Sequence, residues 1–413
     1  MPVLENIGTL AVCRDEGGQA ALHEIPRAAL VWEGETIRWV GAEVDLPDAL
    51  RSTERFDAGG ALVVPGLVDC HTHLAFGGWR ADEFEQRIRG TSYLDIARKG
   101  GGIAGTMRHT RAASEDDLLV RAKGFLGEMA RLGVTTVECK SGYGLSVEDE
   151  LKTLRVYRRL REEQPLGIVS TFLGAHVVPP EFKDDRAAYI RLLCDDLMPR
   201  IADENLAAFC DVFVEDTAFS LEESRTIFEA GIRHGLRPKL HADQLSDGGG
   251  ARLAADVGAI SADHLECASE AGIRAMAEAG VVAVSLPLAT LYLNQRPMPA
   301  CAFIEAGVPV AVATDFNPGS APSYHLPLAM TLACTMQRMT PAEALKGATL
   351  YAAKAIACDD RIGSLEPGKQ ADFVLVDAPS VNHWLYHFRP NAVREVFVRG
   401  ERVSGSLGKE GSA

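Results

Sequence analysis

Eight short apolar runs, separated by segments of helical character, constrain the fold of this chain more than any other feature. The runs cover residues 62–69, 134–139, 168–174, 210–215, 237–241, 259–264, 281–286 and 309–315. Several of the helical intervals begin at a serine that can cap a first turn, and the clearest run from Ser114 to Leu132, Ser146 to Glu163, Ser220 to His234 and Cys267 to Ala279. Eight strands alternating with helices predict an α/β fold, a (β/α)8 TIM-type barrel with its active site at the carboxyl ends of the strands.

The two ends of the chain have a different pattern, of short strands and turns. Residues 29–40 predict a hairpin, and residues 368–377 and 393–403 predict further strands. We therefore expect residues 1–60 and 363–413 to form one small composite β-sandwich domain around a catalytic barrel of residues 61–362. The interval 75–133 is too long for a single helix, so it is also expected to carry a substrate-covering loop around residues 99–103.

Composition excludes several classes of partner. A formal charge of -15 without a long basic cluster argues against nucleic acid or an anionic membrane surface as the binding partner. No apolar run reaches the length of a membrane span, and no secretory signal opens the chain, so a cytoplasmic protein is expected. The nine cysteines are scattered and never form a Cys-x-x-Cys pair, which argues against a disulfide framework and a zinc ribbon.

Histidine and aspartate residues recur where the apolar runs end. The first run leads to His71 and His73, the third to His176, the fifth to His241, the sixth to His264 and the eighth to Asp315. His71 and His73 are two residues apart on a strand and project to the same side, as in half of a metal site. The alternative is two unrelated histidines, one packed and one solvated. Because five strand ends bring such residues to one rim of the barrel, the sequence favours a metal-binding active site over this alternative.

This arrangement resembles the amidohydrolase superfamily, and the resemblance covers nearly the whole chain. It rests on residues 64–73 before the barrel, residues 363–372 in the tail, and the order of the strand-end histidines and aspartate. It implies that one divalent ion binds to His71, His73, His241 and Asp315, with zinc or iron as the expected metal and manganese also compatible. It further implies that Asp315 acts as proton shuttle for a metal-activated water and that His264 assists at the attacked carbon.

A second metal ion is a separate question. Binuclear members of the superfamily commonly carry a carboxylated lysine on the fourth strand, whereas here that strand ends in Val214-Glu215-Asp216. Glu215 could bridge a second ion, although an acid at this position more often caps a loop or supports a ligand. We therefore expect one metal ion.

Five rim segments resemble, more narrowly, the imidazolonepropionase family. These are residues 77–84, 138–145, 171–176, 239–246 and 313–320. The resemblance implies hydrolytic ring opening of 4-imidazolone-5-propanoate to N-formimidoyl-L-glutamate in histidine degradation. It also implies substrate contacts from Arg80, Tyr143, His176, Gln244, Asn317, Gly319 and Ser320.

The chemistry of these residues agrees with a ring that carries an acidic tail. Arg80 offers a bidentate partner for the propanoate, and its alternative is a surface ion pair. Tyr143 stands between two glycines, where its ring can cover a small ligand. His176 and Gln244 can hydrogen-bond the ring nitrogens and carbonyl.

Gln244 departs from the pattern, because some family members carry a catalytic glutamate there. A neutral amide cannot accept a proton. We interpret Gln244 as a catalytic-site residue that orients the ring, while Asp315 and His264 carry the proton transfers.

Two other functions use the same residues. A deaminase or cyclic-amide hydrolase acting on a nucleobase or hydantoin-like ring would share the metal ligands but would not need Arg80. A metal-binding scaffold without catalysis would not need Asp315. A homodimer is the expected oligomeric state.

Overall fold

Two hydrogen-bonded sheets of eight strands each organise this protein. The computed structural model describes residues 1–51, 54–91 and 101–405. One sheet is a parallel barrel from the middle of the chain, and the other combines strands from both ends. The predicted fold class is confirmed.

The barrel sheet follows chain order without a crossover. Its strands, numbered here with those of the terminal sheet, are β6 (Leu67–Thr72), β7 (Val134–Lys140), β8 (Gly167–Ala175), β9 (Phe209–Val214), β10 (Arg237–Ala242), β11 (Ser261–His264), β12 (Val282–Ser285) and β13 (Val310–Val312). Two hydrogen bonds just beyond β13 join it to the first strand: Asp315 N–H donates to the His71 carbonyl at 3.0 Å, and His73 N–H donates to the Phe316 carbonyl at 2.8 Å. This closure brings the first and the eighth strand ends together.

The first apolar run, residues 62–69, is two strands rather than one. β5 (Leu62–Pro65) belongs to the terminal sheet, and the barrel begins only at Leu67. The chain changes sheets at Gly66, whose N–H donates to the Asp372 carbonyl at 2.9 Å. A Cβ at Gly66 would lie 2.2 Å from Thr135 Oγ1, so only glycine fits this junction. The terminal sheet thus includes four residues that the apolar run had placed in the barrel.

The other seven strands of the terminal sheet lie near the two ends of the chain on both sides of β5. They are β1 (Val3–Ala11), β2 (Glu24–Glu33), β3 (Thr36–Ala42), β14 (Phe373–Val376), β15 (Val393–Val398) and β16 (Glu401–Gly405), and the short β4 (Arg55–Asp57) pairs with β1. The sheet curls on itself, because the Trp32 ring on β2 lies 5.3 Å from Phe373 on β14 and 5.9 Å from Phe397 on β15. These strands face each other across a core of their own, as a composite sandwich requires.

Three of the four helices expected from the sequence begin directly after their predicted capping serine. The described helices are α1 (Ala81–Ile88), α2 (Ile103–Ala112), α3 (Glu115–Arg131), α4 (Val147–Glu163), α5 (Arg186–Arg191), α6 (Met198–Asp203), α7 (Leu221–Arg233), α8 (Gly250–Asp256), α9 (Glu270–Ala279), α10 (Pro287–Leu293), α11 (Ala300–Glu305), α12 (Leu326–Gln337), α13 (Pro341–Gly347), α14 (Leu350–Ala355) and α15 (Val381–Tyr386). Ser114, Ser146 and Ser220 cap α3, α4 and α7 through their side chains. The fourth expected helix begins at Glu270, three residues after Cys267, because Ser269 is its cap.

Three helices, α1, α2 and α3, lie in the described part of the interval 75–133. Residues 92–100, which include part of the expected substrate-covering loop, lie outside the described residues. No helix in the described part of the chain is long and apolar enough to cross a membrane. All nine cysteines have free thiols.

Candidate functional site

Three histidines from two strands meet at the carboxyl rim of the barrel. His71 and His73 come from the end of β6, and His241 from β10. The His71 ring centroid lies 5.4 Å from that of His73 and 4.6 Å from that of His241. All three side chains are buried.

Asp315 and His264 complete this group from the eighth and the sixth strand. Asp315 Oδ1 lies 3.4 Å from His71 Nε2 and 3.5 Å from His73 Nε2. The His264 ring lies 5.6 Å from His71 and 5.3 Å from His241. Two sets of ligand atoms, each within 4.8 Å of one another, therefore share His71: one adds His73 and Asp315, the other His241 and His264.

The chemistry of these atoms fits a cation. His71 Nε2 and His241 Nε2 are buried and have no hydrogen-bond partner among the described residues. Burial lowers the pKa of His241 to about 3 and also lowers that of His73, so both rings are neutral, the form that binds metals. A buried pair of unpartnered imidazole nitrogens beside a carboxylate is the donor set of a divalent transition metal.

Hydrogen bonds on the far side of two rings fix their orientation. His71 donates its Nδ1–H to Asp263 Oδ2 at 2.7 Å, and His241 donates its Nδ1–H to Asp211 Oδ1 at 3.1 Å. A carboxylate only accepts, so Nδ1 of each ring carries a proton, and in the neutral ring the lone pair is then on Nε2. Both Nε2 atoms are thereby available to a metal.

The backbone is strained where two of these side chains leave their strands. Asp315 has φ 56°, and His264 and Leu265 have φ 77° and 65°. Non-glycine residues rarely adopt positive φ, and such strain clusters at functional sites.

His176 and Tyr143 cover one side of the histidine group. The His176 ring stacks on His73 at 5.3 Å, and the Tyr143 ring lies 5.6 Å from His73. His176 donates its Nδ1–H to the Gly142 carbonyl at 3.0 Å, which leaves Nε2 as an acceptor. Burial lowers the pKa of His176 well below its usual value, so this acceptor stays unprotonated.

A buried glutamate on α4 shapes the loop that carries Tyr143. Glu150 accepts backbone N–H groups from Gly142 at 3.1 Å, Gly144 at 2.8 Å and Leu145 at 2.9 Å. Its side chain is fully buried. Sequence analysis missed this residue, because nothing local distinguishes it from the other acids of the helix.

Arg80 lies against the loop after β13. Its Nε and Nη2 donate to Glu83 at 2.8 and 2.7 Å, so Arg80 forms an ion pair, and its side chain is 12% exposed. A Cβ at Gly319 would lie 2.0 Å from Arg80 Nη1. Gly319 therefore provides the room in which the guanidinium sits.

Asn317 uses its whole amide within this loop. Its Nδ2 donates to the Asp315 carbonyl at 2.7 Å and to Ser320 Oγ at 2.8 Å, and its Oδ1 accepts from the N–H groups of Gly319 and Ser320, both at 2.8 Å. Ser320 Oγ lies 3.5 Å from Asp315 Oδ2. The loop is thus tied to the strand end that bears Asp315.

Gln244 stands on the loop after β10 and is half-buried. Its side chain makes no hydrogen bond with the described residues, unlike those of His176 and Asn317. Glu215 holds the same loop by accepting from Leu245 N–H at 2.7 Å and Ser246 Oγ at 2.9 Å. Glu215 therefore caps a loop, which is the alternative to bridging a second metal ion. It is not among the described residues whose ligand atoms lie close enough together to hold a metal ion.

Below the histidines lies a buried charge cluster that sequence analysis also missed. Its members are fully buried and stand on four of the five strands from β7 to β11: Glu138, Lys140, Asp211, Lys239 and Asp263. The sequence does contain one signal for this cluster. Within an apolar run, a charged residue stands two positions before another polar residue, as Glu138 does before Lys140 and Lys239 before His241. Such spacing puts both side chains on the interior face of the barrel.

Comparisons with known proteins agree with this architecture. Residues 62–403 match the amidohydrolase family. The chain is 50% identical over 387 residues to the imidazolonepropionase of Cupriavidus necator, which spans 94% of this chain and 93% of that protein. It is 49% identical over 362 residues to the imidazolonepropionase of Geobacillus thermodenitrificans, with 88% and 85% covered.

Solved structures share the fold at low identity. An adenosine deaminase from Xanthomonas campestris with bound zinc has TM-score 0.72 at 20% identity, covering 97% of this chain and 92% of that one. Atrazine chlorohydrolase from Arthrobacter aurescens complexed with zinc has TM-score 0.72 at 17% identity, with 99% and 97% covered. The guanine deaminase of E. coli has TM-score 0.70 at 17% identity, with 98% and 99% covered.

Proposed function

Because this chain belongs to the amidohydrolase family and, within it, to the imidazolonepropionases, we propose that it opens the ring of 4-imidazolone-5-propanoate by hydrolysis. The product is N-formimidoyl-L-glutamate, a step of histidine degradation. One observation carries the chemistry: the rim joins unpartnered imidazole nitrogens, a carboxylate and, one loop away, a mostly buried arginine. That set provides a metal site and a partner for an acidic substrate tail.

One divalent ion is proposed to bind to His71, His73, His241 and Asp315. Zinc or iron is the proposed metal, with manganese compatible, and the zinc in the adenosine deaminase and the atrazine chlorohydrolase supports a metal of this type. When bound, such an ion lowers the pKa of water to about 7 and supplies hydroxide at neutral pH.

The proton transfers are assigned to Asp315, with His264 assisting. The carboxylate of Asp315 accepts the proton of the water that attacks the ring carbon. It then returns that proton to the ring nitrogen as the C–N bond breaks, so Asp315 ends as it began. His264, whose ring faces His71 and His241, is placed to hydrogen-bond the oxyanion that develops on the attacked carbon.

The substrate contacts are proposed on three sides of the metal group. Arg80, beside the loop of Asn317, Gly319 and Ser320, takes the propanoate. His176 offers its unprotonated Nε2 as an acceptor for a ring N–H, and Tyr143 covers the ring. Gln244, whose amide has no partner among the described residues, is free to orient the ring.

A direct assay separates this function from its closest alternative. Purified protein loaded with zinc or iron should consume 4-imidazolone-5-propanoate and release N-formimidoyl-L-glutamate. Release of ammonia from guanine, cytosine or adenosine without turnover of the imidazolone would overturn the assignment in favour of a nucleobase deaminase. Binding of metal without turnover of any of these rings would favour the scaffold.

Oligomeric state and location complete the proposal. We propose a cytoplasmic homodimer that pairs through outer helices of the barrel, because two-fold symmetric dimers are the commonest soluble oligomers. Light scattering on the purified protein measures its mass, and a monomer or tetramer would contradict the dimer. Cell fractionation tests the location.

A further inference from the structure

The buried charge cluster is linked to the proposed metal ligands through one ammonium group. Lys140 Nζ lies 3.0 Å from Glu138 Oε1, 2.8 Å from Asp211 Oδ2 and 3.2 Å from Asp263 Oδ2. It donates hydrogen bonds to Glu138 and Asp211, and the carboxylate of Asp263 lies within ion-pair distance. Lys140 thus contacts both carboxylates that accept from the metal-site histidines, Asp263 from His71 and Asp211 from His241.

The other lysine of the cluster has different partners. Lys239 Nζ lies 2.9 Å from Glu138 Oε2 and donates to the Ala355 carbonyl at 3.1 Å. Both lysines are fully buried and stand on barrel strands. They differ in that Lys140 alone, among the described lysines, lies within ion-pair distance of Asp211 and Asp263.

Three carboxylates in a dry interior repel one another and are costly to keep ionised without a counter-charge. If Lys140 were removed, this repulsion would drive Asp211 and Asp263 apart and away from the imidazoles that they hold. An imidazole that loses its carboxylate acceptor at Nδ1 is no longer fixed in the tautomer with its proton on Nδ1. An imidazole with a proton on Nε2 cannot present that nitrogen to a metal.

We propose that Lys140 is a positioning residue that holds His71 and His241 together in the Nδ1–H tautomer and thereby sets the affinity of the site for its metal. The role is exerted through Asp263 and Asp211 and involves no contact with substrate. This role rests on the proposed metal site and goes beyond it, because the buried ammonium of Lys140 then supports two metal ligands, His71 and His241, at once.

The test compares Lys140→Met with Lys239→Met, a control of equal burial. Zinc affinity of the metal-free full-length protein is measured by competition with a chromophoric chelator. Loss of a partner behind a metal ligand costs about 10- to 100-fold in affinity, so Lys140→Met should bind zinc that much more weakly than Lys239→Met. Nitrogen-15 NMR of labelled histidine in the metal-free proteins should show Nε2–H signals that appear only in Lys140→Met.

Two further variants keep the test decisive if Lys140→Met does not fold. Asp263→Asn and Asp211→Asn preserve side-chain size, and each should shift the tautomer of one histidine, His71 or His241, and weaken zinc binding. Equal zinc affinity in Lys140→Met and Lys239→Met, or unchanged tautomers in both asparagine variants, would overturn the proposal. Failure of the unsubstituted protein to bind zinc or iron would instead overturn the metal site itself.

Discussion

At the scale of single residues, the position of the Arg80 guanidinium depends on the absence of a side chain at Gly319. Gly319 has no Cβ, and Arg80 Nη1 occupies the space that a Cβ would need. No positive φ requires glycine at this position, so the constraint is space rather than backbone conformation.

Gly319→Ala should therefore displace the guanidinium and raise KM for the imidazolone by about tenfold or more, a loss of at least 1.4 kcal/mol of binding. Metal content should not change, since the metal ligands are elsewhere. Gly248→Ala is the matched control on another rim loop, because its nearest side-chain atoms would lie 3.9 Å from the new methyl group. Equal KM in both variants would contradict the role of Arg80 as carboxylate partner.

Gln244 gives a second prediction at this scale. If Asp315 and His264 carry the proton transfers, Gln244→Glu should leave the pH profile of kcat/KM without a new ionisation. Gln244→Ala should raise KM, because the ring loses an orienting hydrogen bond. A large change of the pH profile in Gln244→Glu would show that this position takes part in proton transfer.

At the scale of elements, two loops at the rim of the barrel are held by glutamate side chains that accept hydrogen bonds from the loop backbone. Glu150 on α4 collects three N–H groups of the loop that carries Tyr143, and Glu215, just past β9, holds the loop of Gln244. Buried backbone N–H groups need an acceptor, and these carboxylates supply it.

Glu150→Gln should destabilise the protein by about 1–3 kcal/mol, because an amide nitrogen would face backbone N–H groups that now donate to a carboxylate. It should also raise KM, since Tyr143 moves with its loop. Glu148→Gln, in the first turn of the same helix with an exposed side chain, is the control. Thermal unfolding and steady-state kinetics measure both effects, and a variant indistinguishable from the control would refute this role for Glu150.

At the scale of the whole molecule, Asp372 lies where the barrel meets the terminal sheet. Its carbonyl accepts from Gly66 N–H and its carboxylate from Arg399 N–H at 2.7 Å. Burial raises the pKa of Asp372 from 3.8 to about 6. The folded protein thus binds more protons than the unfolded chain between these values, so this group's contribution to stability falls as the pH rises from about 4 to about 6.

Asp372→Asn should remove this dependence and stabilise the protein at pH 8 by up to about 3 kcal/mol, with a smaller gain at pH 4.5. Asp377→Asn is the control of opposite sign, because a hydrogen bond from Arg389 lowers the pKa of that exposed carboxyl. Thermal unfolding at the two pH values measures both variants. A loss of stability at pH 8 in Asp372→Asn would show that the ionised carboxylate stabilises the junction.

The sequence by itself determined the barrel, the composite terminal sheet and the residues of the metal-type group. It could do so because strand periodicity and strand-end position are local properties, and the carboxyl ends of parallel strands always share one rim. Tertiary structure alone decided that the first run divides at Gly66, that Glu150 and Asn317 shape their loops, and that Lys140 joins the partners of His71 and His241. The contacts at Gly66 and Lys140 join residues far apart in the chain, whereas those of Glu150 and Asn317 lie within a few residues of them. The energies of both kinds depend on burial and on distances that no local pattern contains.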